Sequence, residues 1–185
     1  MNIDRQLHLV LPVDQPDGGQ IFIHATPVSQ ETFDAYYLVL AKTFAEIHAQ
    51  GLGVIAGPRV AAKLLADVAR EAGTWDGPTG VERGLLAEIR RLINVYAPGE
   101  NGWTLSPFED ARAAGVIDPQ DASEGENAVV FFTLSWLMHR RTEREGILQS
   151  AVLLWGGQIT SSTCTEFRDS LPTLTTDAST GASPG

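Results

Sequence analysis

Apolar and polar residues alternate at the start of the chain. Leu7, Leu9, Leu11 and Val13 share one side of an extended segment, and "IFIHA" resumes the pattern after the turn-forming "DQPDGGQ". Period two on both sides of a Gly-Pro-Asp turn predicts a β-hairpin over about 7–25, with Leu7 to Val13 paired against Gln20 to Ala25. From Ser29 the apolar spacing changes to three and four: Phe33, Tyr36, Tyr37, Leu40, Phe44 and Ile47 fall on one helical face, with Ser29 as cap. After "AQGLGVIAG", Pro58 opens a second helix through Val60, Leu64, Leu65 and Val68, stopped at Gly73. Thr79 and Glu82 have capping-box spacing ahead of Leu85, Leu86, Ile89, Leu92 and Ile93, and "APGENGW" reads as a loop. Ser106, Pro107 and Glu109 open a short helix ending near Gly115. Asp118 and Pro119 lead into the most apolar stretch, a buried helix expected from Glu126 to about Arg144. A kink near Gly146 precedes a helix from Ile147 to Trp155 that Gly156 and Gly157 end, and Thr163 with Glu166 starts one more.

The pattern thus predicts a mainly helical single domain over 1–172 with a minor N-terminal hairpin. Its expected core contains Leu40, Phe44, Leu64, Leu86, Ile89, Val130, Phe132 and Leu134. Residues 173–185 are too poor in apolar side chains to offset their ordering entropy and read as a disordered tail.

Composition narrows the function classes. Thirteen Lys and Arg against twenty-three Asp and Glu give a net charge of -10, which repels a phosphate backbone and argues against nucleic acid as a partner. The apolar run from Ala128 to Met138 is shorter than the roughly 20 residues a bilayer requires, so no membrane partner is expected. The N-terminus lacks the architecture of a signal peptide, and one cysteine forms no internal disulfide; both suit the cytoplasm of the cell that makes the chain.

Candidate chemistry is sparse. Gly51, Gly53 and Gly57 imitate part of a dinucleotide fingerprint, but a helix precedes them where that motif needs a strand. Cys164 stands at a helix start, yet the four histidines offer no recognisable partner motif for a base, so it reads as a packing residue. His8 and His24 face each other across the hairpin without the further ligands a zinc site uses. Glu109, Asp110 and the acids between Asp118 and Glu126 suit helix N-termini, and Arg140, Arg141 and Arg144 suit a helix C-terminus. No catalytic residue, cofactor or metal is expected.

Four stretches, "LAKTFAEIHAQGLGVIAGPRVAAKLL" (40–65), "LLAEIRRLINVYAPGENGW" (85–103), "GENAVVFFTLSWLMHRR" (125–141) and "LLWGGQITSSTCTEFRDSLPT" (153–173), carry a resemblance to a known family. Together they resemble the tail assembly chaperones of long-tailed bacteriophages and prophages. The resemblance implies a non-enzymatic protein of the host cytoplasm. Such a protein binds the helical tape-measure protein and helps recruit tail-tube protein around it, with self-association left open. It also implies that a translational frameshift near the end of the frame can yield a longer product. Trp136, Trp155 and Phe167 are the candidate partner-binding anchors, each set against the plainer reading of a core aromatic. Two alternatives stand: a structural virion component of the tail or connector, disfavoured because tube subunits are β-rich, and a small cytoplasmic enzyme using Cys164.

Overall fold

The computed structural model describes residues 7–15, 18–100, 102–140, 143, 146, 149, 152–153 and 156–172. Strands β1 (His8–Asp14) and β2 (Gln20–Ala25) form the expected antiparallel hairpin, in register from Leu9 opposite Ala25 to Asp14 opposite Gln20. Gly18, at φ 84°, supplies the left-handed residue that closes the turn.

The mainly helical expectation fails beyond this hairpin. Strands β3 (Ile93–Gly99), β4 (Gly102–Pro107) and β5 (Gln158–Thr160) join the first two in a five-stranded antiparallel sheet of order β4-β3-β2-β1-β5, and the fold is α+β. The segment taken for a loop, 97–103, instead supplies the adjoining ends of β3 and β4, with Pro98 paired to Trp103 and Gly99 to Gly102 at φ 110°. Helical spacing misled here because β3 is covered on both faces. Ile93 and Val95 bury toward the helices and Tyr96 buries on the other side, so no polar alternation marks the strand.

Helices α1 (Gln30–Ala35), α2 (Tyr37–Ala49) and α3 (Gly53–Glu71) follow β2; a π-helical turn (Val81–Leu86) runs into α4 (Ala87–Arg91). Then come α5 (Phe108–Ala113), α6 (Pro119–Met138) and, after β5, α7 (Cys164–Ser170). The helix expected from Ser29 is therefore two, broken at Tyr36, whose hydroxyl donates to the Thr79 carbonyl at 3.0 Å. Ser29 caps as expected, accepting from the Thr32 amide at 3.1 Å. Two expected capping boxes do not form: the π-helical turn starts from Gly80 without a side-chain cap, and Ser106 lies in β4 while Pro107 caps α5. The third forms in full between Thr163 and Glu166.

Helix α6 is the centre of the molecule. Every residue from Asn127 to Ser135 is buried, as an all-round apolar surface requires. It starts at Pro119, capped by Asp118, earlier than expected, and ends at Met138, where His139 is extended. Arg141, Arg144 and most of the expected 147–155 helix lie outside the described residues. The face of the sheet bearing Leu9, Leu11, Ile21, Ile23, Ile93 and Val95 shares one core with α2, α3 and α6. Gly57 lets α3 approach α6 closely, since a Cβ there would stand 2.7 Å from the Phe131 ring. Buried Asn127 receives the Ala62 amide at 2.9 Å and donates to the Ser123 carbonyl at 2.8 Å, so its polarity is satisfied by both helices. Of the expected core, Leu40, Leu86, Ile89, Val130, Phe132 and Leu134 are buried; Phe44 and Leu64 are half-buried at its edge.

Candidate functional site

The second face of the sheet carries a cluster of polar and aromatic side chains. Register sets its members: Val10 stands opposite His24, His24 opposite Asn94, and Phe22 opposite Tyr96, all pointing away from the helical layer. Helix α7 lies across them. Phe167, 5% exposed, packs with Val10 and Tyr96, and its ring centroid is 5.3 Å from Tyr96, 5.7 Å from His24 and 5.8 Å from Phe22. Beyond α7 the chain is held again, with Trp103 Nε1 donating to the Pro172 carbonyl at 2.9 Å.

Under the start of α7 a thiol meets an imidazole. His24 Nε2 lies 3.1 Å from the Ser162 carbonyl, which only accepts, so this nitrogen carries the proton and Nδ1 is left as an acceptor. Cys164 Sγ lies 3.5 Å from that Nδ1. Asn94 Nδ2 donates to the sulfur at 3.4 Å, and the Tyr96 hydroxyl donates to the Cys164 carbonyl at 2.6 Å. The His8 ring sits 4.9 Å from His24, with Nδ1 2.9 Å from Thr26 Oγ1.

A thiol, a base and a group that orients the base are the parts of an activated nucleophile. The electrostatics oppose activation. Burial lowers the pKa of His24, outweighing its bond to Ser162, and burial together with the neighbouring His24 lowers His8 to about 4. Proton transfer to His24 would create an imidazolium where burial disfavours charge, so the ring is a poor base for its neighbour. Burial also raises the Tyr96 pKa, with its hydrogen bond to Cys164 second, so its hydroxyl stays a donor. Both His24 nitrogens are engaged, and among the described residues no group of three or more His, Cys, Asp or Glu is placed to hold a metal.

The structure therefore joins residues that the sequence kept apart. Cys164 has a histidine neighbour, from a strand 140 positions earlier. His8 and His24 do come together, diagonally across the hairpin. Of the three candidate anchors, Phe167 is buried in this cluster and Trp136 is half-buried on α6, stacked on Phe132 at 6.2 Å; Trp155 lies outside the described residues. The large apolar side chains that do face outward are others: Leu38 is 76% exposed and Ile55 77%. Gly51 and Gly53, at φ 69° and 48°, form the connection between α2 and α3, as a helix-helix link rather than a dinucleotide loop. Among the described residues no helix is long and apolar enough to cross a membrane. No protein-family model, curated protein or solved structure matches the chain.

Proposed function

We propose that the chain is a tail assembly chaperone of a long-tailed bacteriophage or prophage, a non-enzymatic protein of the host cytoplasm that binds the tape-measure protein and helps recruit tail-tube protein. The observation that carries this reading is the surface of the helical hairpin α2–α3, which holds the first of the four resembling stretches. It leaves Tyr37, Leu38, Val54 and Ile55 exposed on a chain of net charge -10. Apolar side chains presented on helices can cover the apolar face of a helical client, while the negative charge keeps the complex soluble. Burial, which lowers the His24 pKa and makes the ring a poor base, supports a structural rather than a chemical role for Cys164.

The five-stranded sheet removes the contrast with β-rich tube subunits, so the virion alternative must be met by experiment. Mass spectrometry of purified particles should not find the chain; its presence in stoichiometric amount would favour the structural component.

One observation favours a thiol enzyme as a second reading, the 3.5 Å approach of Cys164 Sγ to His24 Nδ1. Alkylation by iodoacetamide decides between them. An unactivated thiol gains rate only as the pH nears the ordinary cysteine range of about 8.5, whereas an activated one is already fast near pH 6.

A further inference from the structure

The chain has thirteen Lys and Arg, and four of them, Arg59, Lys63, Arg90 and Arg112, border one groove of about 560 Å³ between α3, α4, α5 and the start of α6. Two of these cations are committed. Arg90 grips Glu126 with Nε at 3.0 Å and Nη2 at 2.8 Å, and Arg112 meets Glu109 at 3.2 Å. The side chains of Arg59 and Lys63 make no ion pair or hydrogen bond with any described residue. They stand four apart on α3, the spacing at which like charges repel and weaken a helix. Folding gains nothing from that pair, which makes it available to a ligand.

The walls say what kind of ligand. Ala62 and Trp75, both partly exposed, line the groove beside the charges, over a buried floor of Ala66, Leu86 and Ala122. A free inorganic anion would satisfy the cations and leave these walls wet. Arg59 also borders the neighbouring cleft of Asp14, Asp121 and Glu124, acids that repel an anion, so the favourable seat lies on the Lys63 side.

We propose that this groove binds an acidic peptide segment, seating a Glu or Asp carboxylate on Arg59 and Lys63 and an adjacent apolar side chain against Trp75 and Ala62. This site uses α3 positions other than the exposed Val54 and Ile55 and does not depend on the chaperone reading. Its overall charge excludes polyanions from most of the surface, so the groove selects short acidic segments.

The test is fluorescence anisotropy of a short fluorescein-labelled helical peptide of Glu, Leu and Ala on the full chain. Replacing both cations (Arg59→Ser with Lys63→Ser) should weaken binding roughly tenfold, the size expected for two partly exposed charge contacts. Arg168→Ser, on the opposite side of the sheet, should leave it unchanged, and affinity should fall as salt rises. Because neither cation holds a bond in the fold, circular dichroism of the double variant should match the parent; Lys63→Gln alone provides a milder check with a smaller loss. Equal binding by the double variant, or by a peptide with Gln in place of Glu, overturns the proposal. Displacement by inorganic phosphate as complete as by unlabelled peptide overturns it too.

Discussion

Replacing Phe167 by alanine removes the side chain that fixes α7 to the second face of the sheet. Phe167 is 5% exposed and touches the rings of Phe22, His24 and Tyr96. Truncating a buried phenylalanine costs about 3–5 kcal/mol, and the small cluster here places the loss near the lower end, about 3 kcal/mol. What remains is the capping box, worth about 1 kcal/mol, and the bond from Tyr96 to the Cys164 carbonyl, worth about as much again. A seven-residue helix has no stability of its own to add. The variant should therefore open locally while the central core stays folded. Hydrogen exchange reads this directly at the amide of residue 167, bonded to the Thr163 carbonyl at 2.9 Å, and at Leu171, bonded to Arg168 at 3.2 Å. Protection at both should fall roughly hundredfold, the equivalent of about 3 kcal/mol, and amides of α6 should change little. Protection within threefold of the parent would refute the account of how α7 is held.

Further outcomes follow from the same geometry. His8 and His24 have folded pKa values below the free value of 6.5, so the folded state binds fewer protons than the unfolded one as pH falls. Their stability contribution is complete above pH 6.5 and is lost below it, continuing for His8 to about pH 4; the urea midpoint should fall between pH 6.5 and 5, less steeply in His8→Gln, and a flat midpoint would contradict the burial of the pair. Gly57→Ala should destabilise by about 1–3 kcal/mol through contact with the Phe131 and Ile47 side chains, although helix propensity alone favours alanine by about 1 kcal/mol; thermal melting reporting a gain would show the α3–α6 approach to be looser than described. Cys164→Ser should leave phage tail production unchanged, measured as titre after complementation, and loss of tails from a folded variant would bring back the enzyme reading.

What the sequence made legible was local. The first hairpin follows from alternation around a Gly-rich turn, and the caps at Ser29 and Thr163 from hydroxyls ahead of apolar runs. Strand β3 was hidden because Leu92 and Ile93 continue the helical spacing of Leu85 and Ile89. Strand β5 is three residues long with Ile159 its one apolar side chain, too short to show a period. The Cys164–His24 contact depends on where β2 lies under α7, a matter of sheet order rather than of any motif. The same holds for Phe167: no spacing in its own helix announces that α7 crosses a sheet and turns this side chain inward.

Co-expression with the tape-measure protein of the same phage tests the central claim most directly. The tape-measure protein should aggregate when expressed alone and should co-purify as a soluble complex with the chain. That complex should persist at high salt because apolar burial, led by Leu38 and Ile55, is screened little. A tape-measure protein that stays in the pellet, or that is soluble but fails to co-purify with the full chain, would contradict the chaperone account.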